Sequence, residues 1–132
     1  FEWLPDAEGR WRVNECYCHD HGWQIALAAL VQRADLVLMD LRGFQAHNAG
    51  CRFELGVLAR ASHLARVVVL TDDHTDLAVA RADAASAPPG RFAWIDLGPT
   101  RPSRRRLARR VRAALAGERD RLRQRRLAPL SP

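Results

Sequence analysis

The sequence predicts an α/β layer fold with a mostly parallel sheet, and three observations carry this prediction. Segments with strand patterns and helix patterns alternate along the chain. Leu36–Leu41 and Val67–Thr71 are apolar on both faces, as strands buried inside a parallel sheet are. Phe92–Asp96 forms a third strand, and segments with helical spacing separate the strands, so right-handed helical crossovers are expected.

Length and composition fit one globular domain. The 132 residues are 48% hydrophobic, which is enough for a modest core, and no apolar run is long enough to span a bilayer. Three cysteines without a secretory signal favour a reducing compartment, so we expect a cytoplasmic domain. Because the chain begins at Phe1 rather than Met, we also expect an upstream part. The alternative that this domain is the soluble part of a membrane-anchored protein stays open.

The first elements are a short extended segment and a helix. Arg10–Cys18 alternates weakly between polar and apolar residues, which predicts an edge strand or an extended loop. The helix is predicted to have Asp20 as its N-cap and to end near Arg33. Its shared apolar face is expected to hold Trp23, Leu27, Leu30 and Val31.

The second helix, predicted from Asn48 onward, carries an acid on its apolar face. At about 100° per residue one arc holds most of its apolar side chains. Glu54 falls inside that arc, although burying a carboxylate costs free energy that an Ala or Leu would not. The arc comprises Phe53, Leu64, Val57, Ala61, Ala65, Leu58, Cys51 and Leu55.

The C-terminal part is strongly basic. A short helix over Asp76–Ala85 precedes the third strand, and a final helix is predicted to begin after Ser103 as N-cap and to continue toward Leu127. Between Arg101 and Arg126 there are 12 Arg against two acids. The apolar stripe of the final helix is predicted to comprise Leu107, Val111, Ala114 and Leu115.

The chain therefore divides into an α/β domain over residues 1–116 and an Arg-rich helix end and tail over residues 117–132. The arginines predict a solvated helix face or, alternatively, contact with an anionic membrane surface. Nucleic acid is not an expected partner, because the tail lacks aromatic residues that stack on bases and matches no DNA-reading motif.

Acidic residues follow the predicted strands. Ligands of open parallel sheets bind outside the carboxyl ends of the strands. Those ends carry Asp40, Asp72, Asp73 and Asp96, and Glu54 lies near the same edge because its helix starts there. The inward carboxylate is thus expected where this architecture places its sites.

The stretch from Trp23 through Leu55 resembles part of the Toll/interleukin-1 receptor (TIR) domains. An amphipathic helix, the strand ADLVLMDL, a loop with an aromatic residue and then GCRFEL are similar to the TIR segment in which a buried strand leads to a Trp-Cys-x-x-Glu-Leu helix start. Gly50 stands where TIR domains have Trp, and Asp40 replaces the usual Ser. The pattern is also similar to the cytoplasmic domain of bacterial membrane proteins with a DLRGF…N.GC.FEL motif.

This resemblance implies a flavodoxin-like three-layer fold that lacks its first strand in this chain. It also implies a signalling or defence role, self-association through TIR-like contacts and, for the enzymatic branch, NAD as substrate rather than cofactor. By position in the motif, Glu54 would be the catalytic residue. The related nucleoside deoxyribosyltransferases also cleave an N-glycosidic bond with a carboxylate. A non-catalytic signalling module with the same fold is the alternative.

Glu54 has a physical interpretation on either hypothesis. Cleavage of the bond to nicotinamide develops oxocarbenium character at the ribose, which a carboxylate can stabilise or attack. A carboxylate can also orient a ribose hydroxyl. The alternative is a structural acid that is favoured by the helix dipole and paired with an arginine such as Arg42.

The loop before this helix supplies the remaining candidate site residues, Asp40, Arg42, Phe44, Asn48 and Cys51. In a nucleotide site, Phe44 would stack on a ring, Arg42 would bind a phosphate, and Asp40 or Asn48 would hold ribose hydroxyls. In the structural alternative, Arg42 neutralises Asp40, Asn48 caps the helix and Phe44 fills the edge of the core.

No metal or cofactor is predicted. The CYCHDH segment holds two thiols and two imidazoles, but its spacing does not match a structural zinc site and only one further cysteine, Cys51, is present. The sequence contains no P-loop, no Gly-x-Gly-x-x-Gly and no Gly-x-Ser-x-Gly motif, which disfavours kinase, dinucleotide-redox and triad-hydrolase functions.

Overall fold

The computed structural model describes residues 22–99 and 102–116. None of the helices in this part of the chain is both long and apolar enough to cross a membrane. The predicted extended segment at Arg10–Cys18 and the basic tail from residue 117 lie outside the described residues. The described elements are α1 (Trp23–Arg33), β1 (Leu36–Asp40), α2 (Ala49–Arg60), β2 (Arg66–Thr71), α3 (Leu77–Asp83), β3 (Phe92–Asp96) and α4 (Arg104–Ala114).

The three strands form one sheet in the order β1-β2-β3, and both pairings are parallel. Val37 lies opposite Val67, which in turn lies opposite Phe92. The predicted strands are confirmed to within one residue at each end, and β3 matches its prediction at both ends. The α/β class is confirmed, and the arrangement is consistent with a flavodoxin-like fold that lacks a strand.

Alternating side chains of β2 divide the core into two clusters. Val67 and Val69 point to one face of the sheet, where they pack with residues of α1, α2 and α3. Val68 and Leu70 point to the other face, where they pack with Ile95 beneath α4. The side chains that α4 contributes are the predicted Leu107, Val111, Ala114 and Leu115. The four described helices therefore form two layers around the sheet, with three on one face and one on the other.

Two helices begin at side-chain caps, of which Ser103 was predicted, and other helix ends differ from the prediction. The carboxylate of Asp76 accepts a hydrogen bond from the Val79 N–H at 3.2 Å, and the Ser103 hydroxyl accepts one from Arg106 at 3.3 Å, so both are N-caps. The N-cap of α1 is Gly22 rather than the predicted Asp20. The last helix ends at Ala114, well before Leu127, and its C-terminal N–H groups bond back within a final turn.

The buried face of α2 is rotated from the predicted one. Leu55, Leu58 and Ala59 are buried, whereas Phe53 is 37% exposed. α3 packs against α2, and Arg52, which lies two turns before Ala59 on the same flank of α2, is paired with Asp83 of α3. The helix also ends at Arg60, so Leu64 lies in the following loop, where it is nevertheless buried.

A buried arginine joins α2 to the sheet at the amino edge of the strands. The guanidinium of Arg91 donates hydrogen bonds to the carbonyls of Ala61, of Ser62 at 3.3 Å and of Leu58 at 3.5 Å. These carbonyls belong to the C-terminal end of α2, where the helix dipole favours a cation. Arg91 therefore ties the end of α2 to the start of β3.

Candidate functional site

At the carboxyl edge of the sheet, the loop between β1 and α2 is hydrogen-bonded to the loop between β2 and α3. The Asp76 N–H donates to the Phe44 carbonyl at 2.8 Å. The Gln45 side-chain amide donates to the His74 carbonyl at 2.6 Å. The two loops are therefore held together by backbone and side-chain hydrogen bonds, and they act as one structural unit.

The carboxylate of Asp72 is the centre of this unit, and Gly43, Asp72, His74 and Thr75 together are called the Asp72 junction here. Its Oδ1 accepts hydrogen bonds from the Gly43 N–H at 3.0 Å, the His74 N–H at 3.1 Å and the Thr75 hydroxyl at 2.9 Å. The bond from Gly43 is the largest of the effects that hold the pKa of Asp72 below its ordinary value. Gly43 has a φ of 70°, which a non-glycine residue rarely adopts.

Asp40 and Arg42 form an exposed ion pair with each other. The Arg42 Nη2 lies 2.5 Å from the Asp40 Oδ2, and Nε lies 2.8 Å from Oδ1. This hydrogen bonding raises the pKa of Arg42 above its ordinary value. The arginine that the sequence offered as an alternative partner of Glu54 is therefore paired with Asp40 in the structure.

Phe44 and Asn48 have structural roles in the described arrangement. The ring of Phe44 is buried in the core cluster beneath α2, and this leaves no open ring face on which a ligand could stack. Asn48 is the N-cap residue of α2 by position, but its side chain makes no capping bond. Instead its Oδ1 accepts a hydrogen bond from the Gln45 N–H at 2.7 Å, which shapes the loop before the helix.

Glu54 is half-buried in the second turn of α2. Within residues 22–99 and 102–116, its carboxylate makes no hydrogen bond or ion pair. Burial raises the pKa of Glu54 above its ordinary value. Cys51 lies one helical turn earlier, and burial, followed by the charge of Glu54, raises the pKa of its thiol. The two side chains are thus neighbours in a partly desolvated position.

An aromatic pair includes Phe53, the residue that precedes Glu54 in α2. The rings of Trp23 and Phe53 meet edge to face, with centroids 5.3 Å apart and an interplanar angle of 77°. The pair joins the first residue of α1 to the residue that precedes Glu54. We call Trp23, Cys51, Phe53 and Glu54 the Glu54 corner. Sequence reasoning assigned both rings to the core, and the only signal for another role was the position of Phe53 next to Glu54.

The structure thus separates the predicted site residues into three groups. Glu54 and Cys51 lie together in the Glu54 corner, Asp40 and Arg42 are engaged with each other, and Phe44 is in the core. The junction residues Thr75 and Gly43 were missed, although Gly, Asp and Thr are residue types that favour turns. No group of three or more His, Cys, Asp or Glu side chains that could hold a metal ion occurs within the described ranges.

Comparison of the chain with protein-family models, curated proteins and solved structures finds no match. The chemistry of the site is therefore inferred from its own residues. An unpaired, half-buried carboxylate with a raised pKa, next to a partly exposed aromatic ring, can stabilise a developing positive charge on a ligand that has a flat ring.

Proposed function

We propose that this is a TIR-like nucleotide-binding domain that hydrolyses the N-glycosidic bond of NAD through Glu54. One observation carries the proposal: the Glu54 carboxylate is half-buried near the carboxyl edge of a parallel sheet and has no partner among the described residues. A desolvated acid without a hydrogen bond costs stability, and such costs are concentrated at functional sites. The nearest structural explanation, a pair with Arg42, is weakened because Arg42 binds Asp40.

The chemistry requires a negative charge that is free to respond to the substrate. As nicotinamide leaves, positive charge develops on the ribose, and a carboxylate at the reacting face lowers the energy of that transition state. Asp72 is unsuited to this role because Gly43, His74 and Thr75 already occupy its Oδ1. Glu54 has no such competing donors, and it can stabilise the charge, form a bond to the sugar or orient a ribose hydroxyl.

The other proposed contacts follow from what each side chain has available. Phe53, rather than the buried Phe44, offers ring area for stacking on the nicotinamide. Arg42 would bind a phosphate only by exchanging its hydrogen bonds to Asp40, and because both groups are exposed this exchange costs little. Cys51 would form part of the wall beside Glu54.

The test is nicotinamide release from NAD, measured by chromatography, with the full chain and two variants. Glu54→Gln keeps the size of the side chain and removes its charge, so we expect turnover to fall by at least about 100-fold. Asp73→Asn is the matched control, because this acid is exposed and lies after β2 at the same edge of the sheet. We expect the control to retain the activity of the unmodified chain.

Two outcomes would overturn the proposal. One is an unmodified chain that releases no nicotinamide from NAD, and the other is a Glu54→Gln variant with undiminished turnover. Equal losses in Glu54→Gln and Asp73→Asn would also oppose it, since they would indicate a general effect of charge at the edge rather than a role for one carboxylate.

A second candidate is a non-catalytic interaction module, and the surface of α1 favours it. This helix carries no charged residue before Arg33 and leaves Ile25 75% exposed and Leu30 41% exposed. Exposed apolar side chains on a single helix are a common feature of protein interfaces. If α1 mediates self-association, Ile25→Asp would shift the chain toward monomer in light scattering without changing nicotinamide release.

A further inference from the structure

α4 carries a cationic surface that the rest of the described chain does not balance. Residues 22–99 contain seven Arg and eight Asp or Glu, whereas residues 102–116 contain six Arg and no acid. All six of these arginines lie in α4. The net positive charge of the described residues is therefore concentrated on one helix.

Four of these arginines share the side of α4 that faces away from the sheet. The apolar side chains of α4 pack against β2 and β3. At about 100° per residue, four arginines fall on the opposite half of the helix, and all four are exposed. We call them the Arg109 face, which comprises Arg105, Arg106, Arg109 and Arg112. The first three of them line an open cleft of about 300 Å³.

No described residue neutralises the Arg109 face. In the part of the chain that the structure describes, its four guanidinium groups make no ion pair or side-chain hydrogen bond. By contrast Arg110, on the flank of α4, donates to the Asp96 backbone carbonyl. Arg105 and Arg109 are four residues apart, and like charges at this spacing destabilise a helix. An external anion would relieve this repulsion.

A second copy of the chain offers no described acidic surface that matches this face. The acids of residues 22–99 are nearly equal in number to the arginines of the same region. Some of them are paired directly, Asp40 with Arg42 and Asp83 with Arg52. The described surface outside α4 therefore has no excess of negative charge comparable with the positive charge of α4.

The composition of the Arg109 face indicates the class of its partner. Apart from arginines, the exposed residues of α4 are Ala108 and Ala113. The face has no aromatic side chain to stack on bases and no large apolar side chain to anchor in a protein partner. What it presents is a set of guanidinium groups, which bind phosphate oxygens through paired hydrogen bonds. The face therefore recognises negative charge alone.

A planar surface with mobile anionic groups fits this arrangement. The Arg109 face extends over seven residues, which is about 10 Å along a straight helix. Phospholipids diffuse within a bilayer, so anionic headgroups can gather opposite each guanidinium. The phosphates of a nucleic acid duplex are instead fixed along two curved strands, and a straight face meets fewer of them at once.

We infer that the Arg109 face binds the surface of a bilayer that contains anionic phospholipids. Binding is electrostatic and without insertion, because the face has no apolar side chain larger than alanine. Each arginine close to such a surface strengthens binding roughly fivefold. α1, α2 and α3 lie on the other face of the sheet and so point away from the bilayer. This inference does not depend on the catalytic proposal.

The first measurement is flotation of the unmodified full chain with lipid vesicles at about 0.15 M salt. One set of vesicles is pure phosphatidylcholine, and the other contains about one quarter phosphatidylserine. Titration of the lipid gives a partition coefficient for each set. We expect the chain to float with the anionic vesicles but not with the neutral ones, and the partition coefficient to fall as salt is raised.

Two matched double variants identify the surface that binds. Arg105→Gln/Arg109→Gln removes two charges from the Arg109 face, and we expect it to lower the partition coefficient roughly 25-fold. Arg33→Gln/Arg60→Gln removes two exposed charges from α1 and α2, on the other face of the sheet. We expect this control to lower it less than about threefold, because salt screens distant charges. Glutamine is a good helix former, and circular dichroism checks that both variants fold.

Results of three kinds would overturn the inference. The unmodified chain could show no preference for anionic vesicles, which is the result expected if the five acids of residues 1–21 neutralise the face. The two double variants could lose binding equally, or neither could lose it, so that net charge or arginines outside the face would account for binding. Finally, a short DNA duplex at the same phosphate concentration could displace the chain from the vesicles, which would identify nucleic acid as the preferred partner.

Discussion

Asp72 and Glu54 are two carboxylates near the same edge of the sheet, and they differ in their hydrogen-bond donors and in the direction in which their pKa values are shifted. The Asp72 carboxylate receives three hydrogen bonds from two loops, which lower its pKa. The Glu54 carboxylate is half-buried without a described partner, and burial raises its pKa. The fold therefore stabilises the charge of one acid and disfavours the charge of the other.

This difference separates a structural acid from a candidate functional one. An acid whose charge is matched by internal donors contributes to folding and has little remaining capacity for a ligand. An acid without internal donors costs stability, and its charge becomes favourable only when a cationic group arrives. Position at the carboxyl edge does not distinguish the two cases, whereas the hydrogen-bond donors around each carboxylate do.

The largest expected effect is that of Asp72→Ala. This change removes the acceptor for three donors, one of which, the Gly43 N–H, comes from the other loop, and we expect it to lower the free energy of unfolding by about 2 kcal/mol. Urea denaturation of the full chain measures the change. A loss below about 0.5 kcal/mol would mean that the junction is not structural and that Asp72 resembles Glu54 after all.

The contribution of Asp72 is also expected to depend on pH. Because its pKa in the folded chain lies below the ordinary 3.8, its stabilising effect is present above pH 3.8 and is lost as the pH falls through the folded value. The difference in unfolding free energy between the unmodified chain and Asp72→Ala is therefore expected to narrow in strong acid. If the difference in unfolding free energy between the two proteins did not change with pH, the charge of Asp72 would have no role in stability.

Gly43→Ala is expected to cost about 1 kcal/mol. A Cβ at this position meets no atom within 4 Å, so the cost comes from the positive φ rather than from a clash. The backbone must keep this conformation for the Gly43 N–H to reach Asp72. Gly50→Ala is the control, because a Cβ at Gly50 also meets no atom within 4 Å but Gly50 lies in a helix. The melting temperatures of the two variants therefore compare a position with positive φ and a helical position. Equal melting temperatures would contradict the prediction.

Thr75→Val tests one donor of the junction, with an expected cost of about 1 kcal/mol. The hydroxyl lies 2.9 Å from Asp72 Oδ1 and 3.0 Å from the Leu41 carbonyl, and its oxygen accepts from the Asp72 N–H. Valine preserves the shape and removes these bonds. Thr75→Ser, which keeps the hydroxyl, is the control and should lose less stability in the same denaturation experiment.

Glu54→Gln is expected to change the free energy of unfolding least, and it is the only one of these variants expected to increase it. Since burial raises the pKa of Glu54 above 4.5, its ionised form is disfavoured in the folded chain at neutral pH. Solvent screens a half-buried group, so the variant should gain only roughly 0.2–0.5 kcal/mol at pH 7. The gain is expected to vanish below pH 4.5, where both side chains are neutral. A loss of stability at pH 7 would indicate an undetected partner of the carboxylate.

These expectations could be formed from the sequence only in part. The strands were predictable because apolar runs such as Val67–Thr71 have few alternatives, and the Ser103 cap was predictable because a segment with helical spacing follows it directly. The Asp72 junction was not predictable, since Gly43 and Asp72 are 29 residues apart and their contact depends on the conformation of two loops. The exposure of Phe53 was missed because the rotation of α2 depends on its packing against other elements, which the periodicity of the helix alone does not give.

The consecutive strand order also bears on synthesis at the ribosome. β2 and β3 each pair with the described strand that precedes them in the chain, so the described sheet can grow by one unit at a time as residues emerge. One face is covered as it forms, because α2 and α3 are made between the strands that they bridge. The other face must wait for α4, the last described element, and until then Val68, Leu70 and Ile95 are exposed to water. A nascent chain that pauses before residue 104 thus presents an apolar sheet face, which makes this interval the one in which a chaperone has a surface to bind.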